Sequence, residues 1–500
     1  MGHDTEAPSR PPLGTRSELP IGQAKCSFPA SLEAMLFRQI IHEDLGCASY
    51  LVADRDAGRA AVIDPQWDID PYRRLARLHG VRIEHVLETH NHADHVSGHG
   101  RLARTTGATI HIHELAEAEY EHEPFGDGWV LDLGEVSIEA IHTPGHRPEH
   151  TSFLLRDSSR DGAPWALLGG DSLFIGDVAR PDLAIEPHEG AAEMFRSLHG
   201  RLLTLGDEVE VWPAHLGGSL CGGSGIDLKT SSTIGFERRH NPALAIDDEA
   251  EFVADAVASL GDKPPNLAEI VALNRGPLVD DFGTPAPLTP HEVAECVATG
   301  AVVIDGRTNE EFDEAHIKGA LSTSAYDTGF ATKVSRVAPP GADVIVVAAS
   351  DGDERDAAEL LAAVGLRVRG FLEGGMTAWR TEERPIEKIE LIDPNELAAR
   401  AEGEEPPLIL DVRNAAEYAG EHIPDSLHIP YGDLAGRLDE LPRDRPIATI
   451  CRGGKRSGLA ASILQREGFA DVVHVGQGVG AWRQGGHPVE SGTVATSPAA

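Results

Sequence analysis

The stretch Thr89-His90-Asn91-His92-Ala93-Asp94-His95 sets three imidazoles and a carboxylate close together, just past the apolar run Ile83-Glu84-His85-Val86-Leu87. Such groups build a core badly and bind a transition metal well. Three later segments repeat the arrangement, each putting a metal-binding residue just past an apolar run. Ser137-Ile138-Glu139-Ala140-Ile141 leads to His142-Thr143-Pro144-Gly145-His146. Trp165 to Gly170 leads to Asp171, and Val209 to Ala214 leads to His215. Taken singly, His85 and His142 read as structural or surface histidines. Taken together, the four segments read as strand ends on one rim, where ligands distant in sequence converge on a metal.

A second reactive group stands near the other end of the chain. Pro446-Ile447-Ala448-Thr449-Ile450 has the pattern of a buried strand ending at Cys451, and Arg452-Gly453-Gly454-Lys455-Arg456 leads into a helix from Ser457. A loop between strand and helix aims backbone N–H groups inward, and the helix dipole adds positive potential. With two arginines and a lysine beside it, Cys451 is expected to be a nucleophilic thiolate.

The elements that must position these residues are legible in part. Met35–Ile41 reads as a strand, and Ser49–Ala53 with Ala60–Ile63 as a hairpin. Asp70-Pro71-Tyr72 opens an amphipathic helix ending near Gly80. Strands and helices are expected to alternate to about residue 275, and the three prolines in the stretch from Leu278 to Pro290 suggest a linker. Beyond it the chain repeats itself. Val303-Ile304-Asp305-Gly306-Arg307 is echoed 106 residues later by Ile409-Leu410-Asp411-Val412-Arg413, and His316-Ile317 by His422-Ile423 at the same offset. Each half alternates short apolar strands with helices, as a small α/β domain does. In the first half Ser350 stands opposite Cys451, and Asp351, Asp353 and Glu354 replace the basic lining. That half cannot perform the same covalent chemistry and reads as a scaffold or docking domain.

A chain of 500 residues suggests about three domains. We divide it into a disordered tail at 1–25, a metal domain at 26–277, a linker at 278–290, two α/β domains at 291–388 and 389–492, and a tail at 493–500. A formal charge of −38 argues against nucleic acid and against an anionic membrane surface as partners. The five cysteines (26, 47, 221, 296 and 451) form no CxxC pair and no disulfide framework. With no signal peptide and no apolar run long enough to span a bilayer, a cytoplasmic location is expected.

Residues 26–275 resemble the metallo-β-lactamase superfamily through T-H-x-H-x-D-H, H-T-P-G-H, Gly170-Asp171 and His215. Both C-terminal halves resemble rhodanese domains through D-x-R, the E-x-H-I segment and C-R-x-G-x-R. The four residues between Cys451 and Arg456 match sulfurtransferases, whereas phosphatase-like relatives have five. Gly170-Asp171-Ser172-Leu173-Phe174, Gly176 to Asp182 and Ser231 to Arg238 are similar to the persulfide dioxygenase branch, and the whole resembles its fusions with a degenerate and an active rhodanese domain.

The resemblance implies an αββα sandwich followed by two rhodanese-like α/β domains. It implies one Fe(II) per chain on His90, His146 and Asp171, with His92, Asp94, His95 and His215 around it. Two histidines and a carboxylate leave positions open for a substrate sulfur and O2. Cys451 would carry the sulfane sulfur, and the substrate-binding residues would be Arg452, Gly453, Gly454, Lys455 and Arg456 at the thiol loop with Arg180 and Cys221 beside the metal. The expected partners are glutathione persulfide or a similar small persulfide, O2 and sulfite, in a homo-oligomer. Two rivals stay open. The same histidines and aspartates could hold two zinc ions in a glyoxalase II-like thioester hydrolase, or the metal domain could have lost catalysis and the chain serve as a sulfur carrier. After His146 the chain departs from the common dioxygenase pattern with Arg147-Pro148-Glu149-His150, where His150 could perturb the pocket or cap a strand.

Overall fold

The N-terminal half carries two apolar-faced sheets whose strands end on a common rim. In the computed structural model, which describes residues 34–492 apart from 218, 220, 223, 224, 262, 264, 265, 280, 340 and 351, the first sheet runs β1 (Met35–His42), β2 (Cys47–Asp54), β3 (Arg59–Ile63), β4 (Arg82–Leu87), β5 (Thr109–His113), β6 (Glu123–Phe125) in that spatial order. The second contains β7 (Val130–Asp132), β8 (Val136–His142), β9 (Thr151–Asp157), β10 (Pro164–Gly170), β11 (Glu210–Pro213) and β12 (Ser232–Thr233), ordered from β12 back to β7. The tails expected at 1–25 and 493–500 lie outside the described residues.

The inner faces pack Tyr50, Val52, Ile63 and Leu87 of one sheet against Ile138, Phe153, Leu155 and Leu168 of the other. All eight are essentially solvent-free. At about 1.5–3 kcal/mol for each large apolar side chain, this layer holds the sandwich shut. Main-chain bonds close the rim. The Ala48 N–H donates to the Ala214 carbonyl at 2.7 Å, and the Thr151 N–H to the Thr89 carbonyl at 2.9 Å.

One sequence expectation needs correcting. Strands and helices do not alternate throughout this half, because β6 to β10 follow one another without an α-helix. β7, β8, β9 and β10 pair antiparallel, and antiparallel neighbours need only a tight turn. Helices appear where the pairing is parallel: Asp70–His79 between β3 and β4, His99–Thr106 between β4 and β5, and Pro187–Gly200 between β10 and β11.

The repeat holds strand for strand. The first five-stranded parallel sheet runs Ala286–Leu288, Val368–Leu372, Val344–Val347, Val302–Asp305, Leu321–Ser322. The second runs Glu390–Ile392, Val472–Val475, Ile447–Ile450, Leu408–Asp411, Leu427–His428 in the same order. The strand Ala286–Leu288 lies inside the proline-rich stretch 278–290, so that stretch supplies an edge strand, where proline costs little.

The first rhodanese-like unit is bonded to both neighbours. Asp44, just past β1, accepts the N–H groups of Phe330 and Ala331 at 2.8 and 3.1 Å, so it caps the helix Phe330–Val337. The Val96 N–H donates to the Ala363 carbonyl at 2.7 Å beside an apolar cluster of Trp67, Val96, Ala362 and Ala363. On its other side Ser462 Oγ accepts the Ser322 N–H at 3.0 Å, and His316 meets Gln465 at 2.8 Å. No helix among the described residues is long and apolar enough to cross a membrane.

Candidate metal centre and thiol loop

The strand ends bring His90, His146 and Asp171 together, with one ligand atom of each within 4.8 Å of the others. All three are essentially solvent-free. Hydrogen bonds fix which imidazole nitrogen faces inward. Thr89 donates its hydroxyl to Asp64 at 2.9 Å, so its oxygen accepts the His90 Nδ1–H, also at 2.9 Å. His146 Nδ1–H donates to the Arg180 carbonyl at 2.9 Å. Each ring therefore turns an Nε2 lone pair to the centre. Those Nε2 atoms and both Asp171 oxygens are buried without a hydrogen-bond partner among the described residues. Buried polar atoms are rarely left so. A cation would satisfy all of them, and two nitrogens with a carboxylate are a donor set that transition metals accept.

The electrostatics agree. Burial, with the neighbouring His92 and His146, holds the His90 ring well below the usual imidazole range, and burial does the same to His146. Burial works against the Asp171 carboxylate, but His215 and His146 outweigh it and bring its pKa to about 2. Neutral rings and an ionised carboxylate are the forms that bind metal.

The remaining motif residues face elsewhere. His92 Nε2 lies 3.2 Å from Asp64 and 3.3 Å from Glu88. These carboxylates outweigh its burial and raise the ring well above its usual pKa. His95 Nδ1 meets Asp94 at 3.1 Å, and its pKa is raised to about 9 against the cost of burial. His215 Nε2 is 3.3 Å from Asp171 and 3.5 Å from Asp94, with Ser219 on its Nδ1 at 2.9 Å. Cys221 joins Asp171 and His215 in one cluster, and burial pushes its thiol up. The Arg180 guanidinium is bound by Asp182 at 2.7 Å and by the Gly261 carbonyl, so this residue touches the centre through its main chain. His142 Nε2–H donates to the Pro148 carbonyl at 2.8 Å, and the ring stays out of the cluster.

His150 acts differently from either expectation. Its Nε2 accepts the Asp171 N–H at 2.8 Å and its Nδ1 lies 3.0 Å from the Thr143 carbonyl. Burial pushes its pKa down to about 3. Gly170 has φ 54° and a Cβ there would sit 2.5 Å from His150 Nε2, so glycine is what lets the ring reach the Asp171 backbone.

Four residues outside the sequence reading belong here. Cys47 Sγ lies 3.5 Å from Asp94 and 3.7 Å from His95. Asp64 and Glu88 hold His92, and Asp64 does so from a left-handed backbone at φ 49°. Asn274 donates to the His92 and His95 carbonyls at 2.9 and 2.8 Å and fixes the motif loop. Asp64 follows the apolar run Ala60–Ile63, so it carries the same strand-end signal as Asp171.

At the other centre Cys451 Sγ accepts the Gly454 N–H at 3.2 Å and meets Ser457 Oγ at 3.4 Å. The helix Lys455–Arg466 starts directly beneath, with Gly454 at φ 97°. The basic lining is not free. Lys455 pairs with Asp327 of the first repeat, and Arg456 pairs with Glu417 at 2.6 and 2.8 Å. Arg452 and Gly453 are exposed. Behind the loop, His474 Nδ1 meets Asp313 at 2.6 Å and its Nε2 meets the Gly454 carbonyl at 2.8 Å. Both partners are acceptors, so either the ring carries two protons or Asp313, whose pKa burial raises, carries one. Asn309 also reaches the Gly454 carbonyl at 3.2 Å. Asp313 and Asn309 belong to the degenerate repeat.

Replacing His150 by alanine frees the Asp171 backbone and should lower metal affinity by about 10–100-fold. Competition with a chelator measures it, with His150→Gln falling between; wild-type affinity in the alanine variant would refute the role. Asp313→Asn should slow iodoacetamide alkylation of Cys451 by roughly tenfold, the worth of a charged hydrogen bond. Mass spectrometry of the Cys451 peptide reads this, with circular dichroism checking the fold.

The Metallo-beta-lactamase superfamily model matches residues 42–215, and the Rhodanese-like domain model matches twice, over 289–382 and 393–484. Human "Persulfide dioxygenase ETHE1, mitochondrial" is 31% identical over 223 residues, which cover 44% of this chain and 79% of the relative. The bovine protein of the same name is 32% identical over 226 residues, with the same coverage. The crystal structure of a metallo-beta-lactamase from Staphylococcus aureus subsp. aureus COL is 27% identical with a TM-score of 0.61, covering 68% of this chain and 98% of that one. By its metal-binding half this chain belongs to the persulfide dioxygenase family of the metallo-β-lactamase superfamily, and two rhodanese-like domains follow that half.

Proposed function

We propose that the chain oxidises a low-molecular-weight thiol persulfide with O2 at a single iron and passes sulfane sulfur through Cys451. The observation that carries this reading is the orientation of His92. Turned to Asp64 and Glu88, it is absent from the cluster of His90, His146 and Asp171, whereas a two-metal hydrolase needs it in the first metal's ligand set. Three donors suit one Fe(II) with open positions.

Iron held by His90, His146 and Asp171 would supply a place where the substrate sulfur and O2 meet. The balance is RSSH + O2 + H2O giving RSH, sulfite and two protons. The chain's own residues hold the geometry around that step. His150 fixes the Asp171 backbone, and Thr89 and the Arg180 carbonyl orient the two rings. Burial of the whole cluster keeps bulk water out.

At the second centre Cys451 would carry the sulfur as a persulfide. Sulfite attacks the outer sulfur, the Cys451 S–S bond breaks with its electron pair left on Sγ, and the new S–S bond makes thiosulfate. The Gly454 N–H that already donates to Sγ would stabilise that returning charge. A small thiol such as glutathione suits the role of carrier.

Oxygen uptake by the iron-loaded chain with glutathione persulfide, with sulfite and thiosulfate assayed together, tests the reading. We expect about one iron per chain, uptake, and thiosulfate that disappears in Cys451→Ser while sulfite remains. No uptake, two metals per chain and thioester cleavage would replace it with the dinuclear hydrolase.

A further inference from the structure

A cavity of about 690 Å³ lies where all three domains meet. Asp94, beside the metal cluster, lines one wall together with Leu216 and Gly217, which follow His215. Asn414 and Arg456, at the thiol loop, line another. The third wall comes from the degenerate rhodanese domain, through Lys333 and Arg336 of the helix Phe330–Val337. One cleft, partly open to solvent, therefore touches the surroundings of both reactive centres.

Its charges are arranged unequally. The chain has only seven lysines against a net charge of −38, and one of them, Lys333, lines this cavity. Lys455 and Arg456 are already paired with Asp327 and Glu417. Lys333 is half-buried and makes no hydrogen bond or close ion pair among the described residues. Burial lowers its pKa, and Asp327 and Asp44 partly restore it. The nearest of these carboxylates on the metal side, Asp44, is committed to the Phe330 and Ala331 N–H groups. Arg336 packs over Gly432 of the active rhodanese domain, where a Cβ would lie 3.4 Å from its Nη1. A half-buried ammonium without a close partner costs stability unless something anionic visits it.

We propose that this cavity binds small sulfur oxyanions, sulfite first, and that Lys333 of the degenerate domain is their principal contact. Glu43, Asp44 and Asp94 on the metal-side wall repel such an anion, and Lys333 and Arg336 on the degenerate-domain wall attract it. The degenerate domain has lost its thiol and keeps a role as the wall that holds the shared product. The identity of the anion rests on the function proposed above. The site itself rests on the cavity and its charges.

Sulfite is titrated into the full-length, metal-loaded chain carrying Cys451→Ser, under anaerobic conditions, by calorimetry. Lys333→Gln in that background should weaken binding about tenfold, the loss of one charged contact. Lys333→Arg should restore it, and Lys318→Gln, on the exposed surface beside Glu387, should leave it unchanged. With Cys451 intact and persulfide supplied, Lys333→Gln should raise the free sulfite released for each O2 consumed. Equal affinity in the wild-type and Lys333→Gln chains would overturn the proposal, and so would equal loss in Lys333→Gln and Lys333→Arg, which would mark a packing effect. Absence of oxygen uptake in the wild-type chain would instead overturn the reading of the metal centre, and the calorimetric result would stand apart from it.

Discussion

An ionised carboxylate buried at the end of β10 without a hydrogen bond to its oxygens is the constraint on which the N-terminal half depends. Leaving Asp171 so costs several kcal/mol unless a cation compensates. The surroundings are built to make that state the stable one. His150 holds its backbone, and histidines at the ends of three other strands point charge or lone pairs toward it. Antiparallel pairing lets β8, β9 and β10 follow one another on short turns, while parallel β10 and β11 bring Asp171 and His215 to the same rim. The sandwich is a means of holding four chain segments against one charge.

A division among the histidines follows from this. Those oriented by a neutral group, a threonine hydroxyl on His90 or a carbonyl on His146, keep a free lone pair inward. Those facing carboxylates, His92 and His95, have their pKa raised by them. The sequence motif shows histidines at fixed spacing and is silent on which partner each will meet. The partner decides whether a ring serves as ligand or as counter-charge.

Much of the architecture was legible because it depends on local patterns. The four strand-end segments that carry His90, His146, Asp171 and His215, the helix at Asp70–His79 and the 106-residue repeat are all written in periodicity and spacing. What was not legible comes from pairings distant in sequence. Cys47 reaches Asp94 from the start of β2, and Asn274 reaches the carbonyls of His92 and His95 because helix Leu267–Arg275 returns across the motif loop. The sequence sets two arginines and a lysine beside Cys451 but not their partners, and Glu417 and Asp327 pair with two of them, the latter from another domain. His150 could not be resolved from sequence because its role lies in a hydrogen bond to a backbone N–H. A side-chain identity cannot announce such a bond.

The duplicated half shows what selection of a scaffold looks like in physical terms. Gly352 and Gly454 share nearly the same backbone, at φ 107°, ψ −33° and φ 97°, ψ −27°, so the loop's shape persists where its thiol is gone. The capping boxes persist too, Thr308 with Glu311 and Asn414 with Glu417. The first copy differs from the second in where its helices lean. Asp313 and Asn309 press on the back of the active loop, and Phe330–Val337 is capped by Asp44 of the metal domain. An isolated active rhodanese unit would lack both supports, and the metal domain would lose a wall. The first copy, with Ser350 where the second has Cys451, therefore supplies the geometry that joins the other two domains.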